Sequence, residues 1–249
     1  MCPTSSSDPR DVAGPDPAGD RREELAGHLT AVQDRISKAC AASGRAPSEI
    51  TLIAVTKTYP AQDVRLLNSL GLRHFGENRD QEAAPKAAEC VGLDITWHFV
   101  GQLQTRKAGS VAGYADVIHS VDRARLASHL GTAARTAGRE ITCLVQVSID
   151  GDPARGGVPQ AGVAQVAEAI EAESGLTLGG VMAVAPIGME PAAAFEALHH
   201  CSDLVRGLRS EAGIISAGMS VDLEDAIASG ATHLRIGTAL LGARRAPVL

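Results

Sequence analysis

Apolar residues along this chain fall into two alternating rhythms. From Asp20 to Ser43, Leu25, Leu29, Val32 and Ile36 recur at three- and four-residue spacing with charges between them, which predicts an amphipathic helix ended by Gly44 and Pro47. Thr51 to Thr56 is a short β-branched run of the kind found in a strand buried on both faces, and Pro60 opens a helix whose Val64, Leu67 and Leu70 share a face. The exchange then repeats. Strands are predicted at Leu72–Phe75, Ile95–Val100, Asp116–Val121, Ile141–Ile149, Leu176–Val184, Ile214–Ala217 and Thr232–Ile236. Helices are predicted at Asp80–Cys90, Thr105–Tyr114, Asp122–Ala137, Pro159–Ser174, Pro191–Ser210 and Ser220–Ser229, with Gly151–Gly157 as a loop. Such alternation implies an α/β protein with a parallel sheet and covering helices. Eight units in about 200 residues favour a single-domain (β/α)8 TIM barrel over an open doubly wound sheet. The absence of a GxGxxG after the first strand also counts against a dinucleotide fold.

Composition narrows the function classes. The 249-residue chain is 45% apolar but only 2% aromatic, so its core must be built from Ala, Val, Leu and Ile. Few aromatic platforms and a formal net charge of −6 argue against nucleic-acid binding, while leaving room for a small local anion site. Five scattered cysteines form no CxxC pair, which fits a reducing compartment without disulfides or zinc. No apolar run approaches the roughly 18 residues of a membrane span. The Pro-, Ser-, Gly- and Asp-rich residues 1–19 lack the apolar centre of a signal peptide, so a disordered tail preceding a barrel over 20–249, on a cytoplasmic protein, is expected.

In a barrel of this kind chemistry gathers at the ends of the strands. Lys57 directly follows the first strand, where burial disfavours the ammonium and favours a nucleophilic amine able to form a Schiff base. The bland alternative is a lysine that snorkels to solvent. The other strand ends carry Asn78, His98 with Gly101, His119, Ser148, Met182, the Gly218-Met219-Ser220 group, and Arg235 with Gly237 and Thr238. His98, His119 and Met182 are, singly, more often core residues than ligands. Phosphate sites in barrels are frequently made after the last two strands, by backbone N–H groups and a helix start. Gly218 would allow close backbone approach, Ser220 would give a hydroxyl at a helix start, and Gly237-Thr238 would repeat that chemistry; alternatively Ser220 is only an N-cap and Gly237 only a turn. Asp222 and Glu224 oppose an anion unless they point outward.

A reactive amine beside a phosphate cradle suits an aldehyde that carries a phosphate, and pyridoxal 5′-phosphate (PLP) is the common cofactor of that description. Arg235 against the pyridine nitrogen would leave that nitrogen unprotonated, since a guanidinium only donates, and the ring would be a weaker electron sink. A strand-end salt bridge is the alternative role for Arg235.

The segments AVTKTYP, HFGENRDQE, WHFVGQLQTRK, VQVSIDGDPARGG, GVMAVAP and ISAGMSVDLEDAIASGATHLRIGTALLG resemble, in order, those of the pyridoxal phosphate homeostasis proteins. The resemblance runs from about Thr51 to Gly242. It implies a barrel like the N-terminal domain of alanine racemase, with PLP held as an aldimine on Lys57. By motif position it places Asn78 near the cofactor, Met219 and Ser220 of GMS with Gly237 and Thr238 at the phosphate, Arg235 at the pyridine nitrogen, and His98 and Met182 along the pocket. The implied role is to hold, buffer or hand on PLP, with apo PLP-dependent enzymes as the implied recipients, without demonstrated catalysis, as a monomer or weak dimer. Gln102, Arg106, Ser148 and Arg155 depart from the residues frequent in that family. The alternative is an amino-acid racemase, which would need a second base on the opposite face, a tyrosine from an additional domain. The chain ends soon after the last predicted strand and has only Tyr59 and Tyr114, so the carrier is the expected reading. A chain whose lysine never reacts is the third.

Overall fold

In the computed structural model, residues 17–152, 155–186 and 188–242 are described. The helices are α1 (Pro17–Ala42), α2 (Ala61–Ser69), α3 (Asp80–Glu89), α4 (Ala108–Ala112), α5 (Ala124–Ala137), α6 (Val163–Glu171), α7 (Pro191–Leu208), α8 (Leu223–Ala228) and α9 (Thr238–Leu241). The strands are β1 (Thr51–Val55), β2 (His74–Glu77), β3 (Thr96–Phe99), β4 (Val117–Val121), β5 (Ile141–Ser148), β6 (Val158–Pro159), β7 (Leu176–Met182), β8 (Ile214–Ser216) and β9 (His233–Ile236). All pairings are parallel in the order β4-β3-β2-β1-β9-β8-β7-β5, and a β4–β5 pairing closes the ring. The expected (β/α)8 barrel is therefore the fold, with β6 added outside the ring on β5.

Alternation along the strands sorts residues between two apolar regions. Ala54, Phe75, Trp97, Phe99, Ile118, Cys143 and Val145 face outward into the layer between barrel and helices. Val117, Leu144 and Met182 form a separate small cluster inside the barrel, joined by Val184 and Ile214. The outer layer depends on aliphatic and alanine packing, as the low aromatic content requires.

Several elements differ from the sequence pattern: β2 runs two residues later than the expected Leu72–Phe75, and the expected helix Thr105–Tyr114 is a 3-10 turn followed by the short α4. Helix α1 starts at Pro17 rather than Asp20, consistent with proline's fixed φ suiting a first helical turn; the rest of the expected tail, residues 1–16, lies outside the described residues. Pro159, expected to open a helix, pairs with Ser148 in β6, and α6 begins at Val163. The expected helix from Ser220 begins only at Leu223. There the Asp222 carboxylate takes the Met219 N–H at 2.6 Å, so a side chain closes the turn that a helix backbone would otherwise continue.

Helix α1 buries Leu25, Leu29, Val32 and Ile36 and reaches the elements that end the barrel. Arg21 pairs with Asp63 at 2.8 Å and donates to the Leu241 carbonyl at 3.0 Å. Further along, Arg35 donates to the Ser220 carbonyl at 3.0 Å and pairs with Glu224 at 2.8 Å. The leading helix thus braces the loop that follows β8.

Candidate functional site

At the carboxyl ends of the strands lies a cavity of about 350 Å³, lined by Val55, Lys57, Asn78, Val100 and Val184 from one group of strands. Met219, Ser220, Val221, Arg235, Gly237 and Thr238 complete it. Its size is at the small end of the roughly 300–1,000 Å³ typical of small-molecule sites. Among the described residues two cations and no carboxylate line it, so its charge suits an anion.

Lys57 leaves β1 through Thr56, whose hydroxyl donates to Glu77 Oε1 at 2.7 Å and whose carbonyl accepts from Lys86 Nζ at 2.7 Å. Lys86 and Glu77, 6% and 0% exposed, are themselves paired at 2.5 Å. Burial pushes the Glu77 carboxyl up from its ordinary value, against the pull of Lys86. This buried pair lies behind the lysine's backbone and fixes it from outside the cavity. The next residue, Thr58, has φ 70°, a left-handed conformation unusual for a β-branched residue, and its N–H donates to Glu82 Oε2 at 3.1 Å.

Asn78 is held by the neighbouring loop. A Cβ on Gly101 would fall 2.0 Å from the Asn78 carbonyl oxygen, so only glycine lets the chain after β3 cross the loop after β2. Gly101 therefore serves the site through backbone packing, outside the cavity lining.

On the opposite wall the Ser220 hydroxyl does not start α8. It accepts the Ala239 N–H at 3.3 Å, joining the loop after β8 to the first turn of α9. Gly237 and Thr238 lie at that turn, where a helix leaves its first N–H groups without intrahelical partners. The glycine at 218 serves a different end from the expected backbone approach to an anion: its φ is 88°, and a Cβ there would strike Ala226 and Leu234. The two acidic residues turn away from the cavity, Asp222 toward the Met219 N–H and Glu224 toward Arg35.

Arg235 is 6% exposed and has no hydrogen-bonded carboxylate partner among the described residues. Nη1 donates to Ser216 Oγ at 2.7 Å and Nη2 to the Ala183 carbonyl at 2.8 Å. Burial lowers its pKa to about 10, with the nearby Asp222 charge opposing, so it stays charged at neutral pH. The strand-end salt bridge considered for Arg235 is absent among the described residues.

Lys57, Asn78, Met219, Ser220, Arg235, Gly237 and Thr238 are thus brought together, whereas His98 and Met182 are not brought to the cavity. Both are buried inside the barrel, 2% and 1% exposed. The reason is the two-residue period of a strand: Val100 and Val184, two positions further on, reach the cavity, and His98 and Met182 lie below them. Counting on by two would have found both valines. Neither tyrosine lines the cavity: the Tyr59 hydroxyl donates to the Gly242 carbonyl at 2.8 Å, and the buried Tyr114 hydroxyl lies against the α3–α4 groove.

The model of the alanine racemase N-terminal domain matches residues 28–245. A pyridoxal phosphate homeostasis protein of Mycobacterium bovis is 41% identical over 245 residues, covering 91% of this chain and 95% of that protein. PipY of Synechococcus elongatus, solved with PLP bound, superposes with a TM-score of 0.77 at 32% identity, covering 88% of this chain and 100% of PipY. Alanine racemase from Corynebacterium glutamicum shares the fold at a TM-score of 0.68 and 15% identity, over 91% of this chain and 63% of that one. The chain belongs to the alanine racemase N-terminal domain family and, within it, to the pyridoxal phosphate homeostasis proteins.

Proposed function

We propose that this protein binds PLP in the cavity at the strand ends, captures it on Lys57, and serves as a carrier that buffers or delivers the cofactor. The observation that carries the reading is one cavity that combines a primary amine, a buried guanidinium and a hydroxyl-bearing helix start, with valine walls and, among the described residues, no carboxylate. Those residues suit the group: Lys57 would meet the aldehyde, Ser220, Gly237 and Thr238 would hold the phosphate, and Val55, Val100 and Val184 would give the ring apolar walls. When bound, the cofactor supplies an aldehyde that condenses with the Lys57 amine, forming a C=N bond and releasing water, and a ring that can accept electrons.

The carrier reading also fits Arg235. It can only donate a hydrogen bond, so it would hold the ring nitrogen unprotonated and weaken the ring as an electron sink. A racemase also needs a second proton carrier across the cavity from the lysine. Tyr59, bonded to the Gly242 carbonyl, and Tyr114, beside the α3–α4 groove, are both outside the cavity lining and do not supply it. PipY, which has PLP bound in its structure, and the homeostasis name of the Mycobacterium bovis relative support the same reading.

The test is direct. Protein mixed with PLP is expected to gain near-visible absorbance, borohydride to fix the label on Lys57, and Lys57→Ala to take up no label. Label found elsewhere, or none, overturns capture on Lys57. Efficient interconversion of L- and D-alanine by the loaded protein would replace the carrier with the racemase.

A further inference from the structure

Below the cavity, a continuous line of hydrogen bonds crosses the barrel interior. His74 Nδ1 lies 3.0 Å from His98 Nε2, and His98 Nδ1 lies 2.9 Å from His119 Nε2. His119 Nδ1 lies 2.9 Å from Ser216 Oγ, which accepts from Arg235 at 2.7 Å. The chain joins β2, β3, β4, β8 and β9, so it exists only once the barrel closes. His98 is 2% exposed, and His119 and Ser216 are 0% exposed. Only His74, at the start of β2, is half-buried.

A guanidinium has no acceptor, so Ser216 Oγ must accept from Arg235. The hydroxyl keeps a second lone pair as well as its O–H, so its contact with His119 Nδ1 is satisfied whichever partner donates, and the His119–His98 and His98–His74 contacts then follow in the same direction along the line. Burial keeps the His98 and His119 rings neutral, holding both well below the usual imidazole range.

We propose that His119 and Ser216, backed by His98 and His74, are positioning residues for Arg235: the chain turns the Ser216 lone pairs toward Nη1 and so fixes the guanidinium at the cavity wall. The proposal rests on the reading that Arg235 faces the ring of bound PLP. Nη2 is tied to the Ala183 carbonyl, so losing the Nη1 contact would leave the planar group held at one edge and free to tilt. A neutral chain also adds no charge beside the ring, whereas a carboxylate in place of Ser216 would draw off the positive potential that an anionic cofactor requires.

The test uses the full chain and PLP itself, with thermal unfolding of the PLP-free protein as the control for folding. Ser216→Ala, a small change, is expected to weaken PLP binding about tenfold, the loss of one charged hydrogen bond, and to shift the absorbance maximum of the Lys57-bound cofactor. His119→Asn can still present an amide oxygen or N–H near the position of Nδ1, whereas His119→Leu can present neither. The asparagine variant is expected to keep the wild-type absorbance maximum, and the leucine variant to match Ser216→Ala. If His119→Leu does not fold, Ser216→Ala against His119→Asn carries the same contrast. Arg235→Gln separates the two levels of inference: if it leaves spectrum and affinity unchanged, the placement of Arg235 at the ring is wrong. If Arg235→Gln shifts both while folded Ser216→Ala behaves as wild type, the positioning chain alone is overturned.

Discussion

Two buried cations flank the cavity, and they are compensated in opposite ways. Lys86 meets the Glu77 carboxylate at 2.5 Å, whereas Arg235 meets only a hydroxyl and a backbone carbonyl. Removing one member of a buried pair strands the other, which is why such pairs are costly to break yet add little when intact. The Lys86 charge is spent within the fold. The Arg235 charge, with acceptors that carry none, remains available to the cavity.

The largest expected effect comes from breaking the first arrangement. Lys86→Met leaves Glu77 with its Oε2 already lacking a partner, and should cost about 3–5 kcal/mol in urea unfolding. Adding Glu77→Leu should recover most of that loss. A single variant no less stable than the double would show that the pair does not act as a unit.

Acid sharpens the contrast from the other side, because it adds cations to an interior where Arg235 already has no carboxylate bonded to it. Burial holds His233 at about 4, below its ordinary 6.5, and also lowers His74. The unfolded chain therefore takes up protons first. Stability should be full above pH 6.5 and fall as pH drops toward 4, with His233 alone accounting for about 3 kcal/mol across that window. His98 and His119, lowered still further, steepen the loss. Urea midpoints that stay level between about pH 7 and pH 5 would contradict a neutral histidine interior.

The smallest effect on stability is expected from the second cation. Arg235→Met removes a charge without stranding another, so the PLP-free protein should change by no more than about 1 kcal/mol in the same assay while PLP retention falls. A loss as large as that of Lys86→Met would mean that both cations serve folding alike.

Much of this was legible in the sequence, for identifiable reasons. Lys57, Ser220, Gly237 and Thr238 could be placed because a barrel brings strand ends to one face, and order along the chain indicates which ends are neighbours. Depth was harder to read. His98 and Met182 sit one inward layer below Val100 and Val184, and a strand boundary uncertain by two residues exchanges one pair for the other. The histidine line was not visible because its members come from strands far apart in sequence, and nothing local to His74 or Ser216 announces the other. Ser220 was expected to start a helix on the strength of its residue type, while Asp222, two positions on, had the closer backbone donor.

The crossing of the loops after β2 and β3 limits how the entrance can be reshaped. With the Asn78 carbonyl occupying the volume where a side chain at position 101 would begin, no substitution there can narrow or widen the opening without displacing Asn78 as well. Engineering a different ligand preference into this scaffold would therefore have to begin at Gln102 and proceed outward.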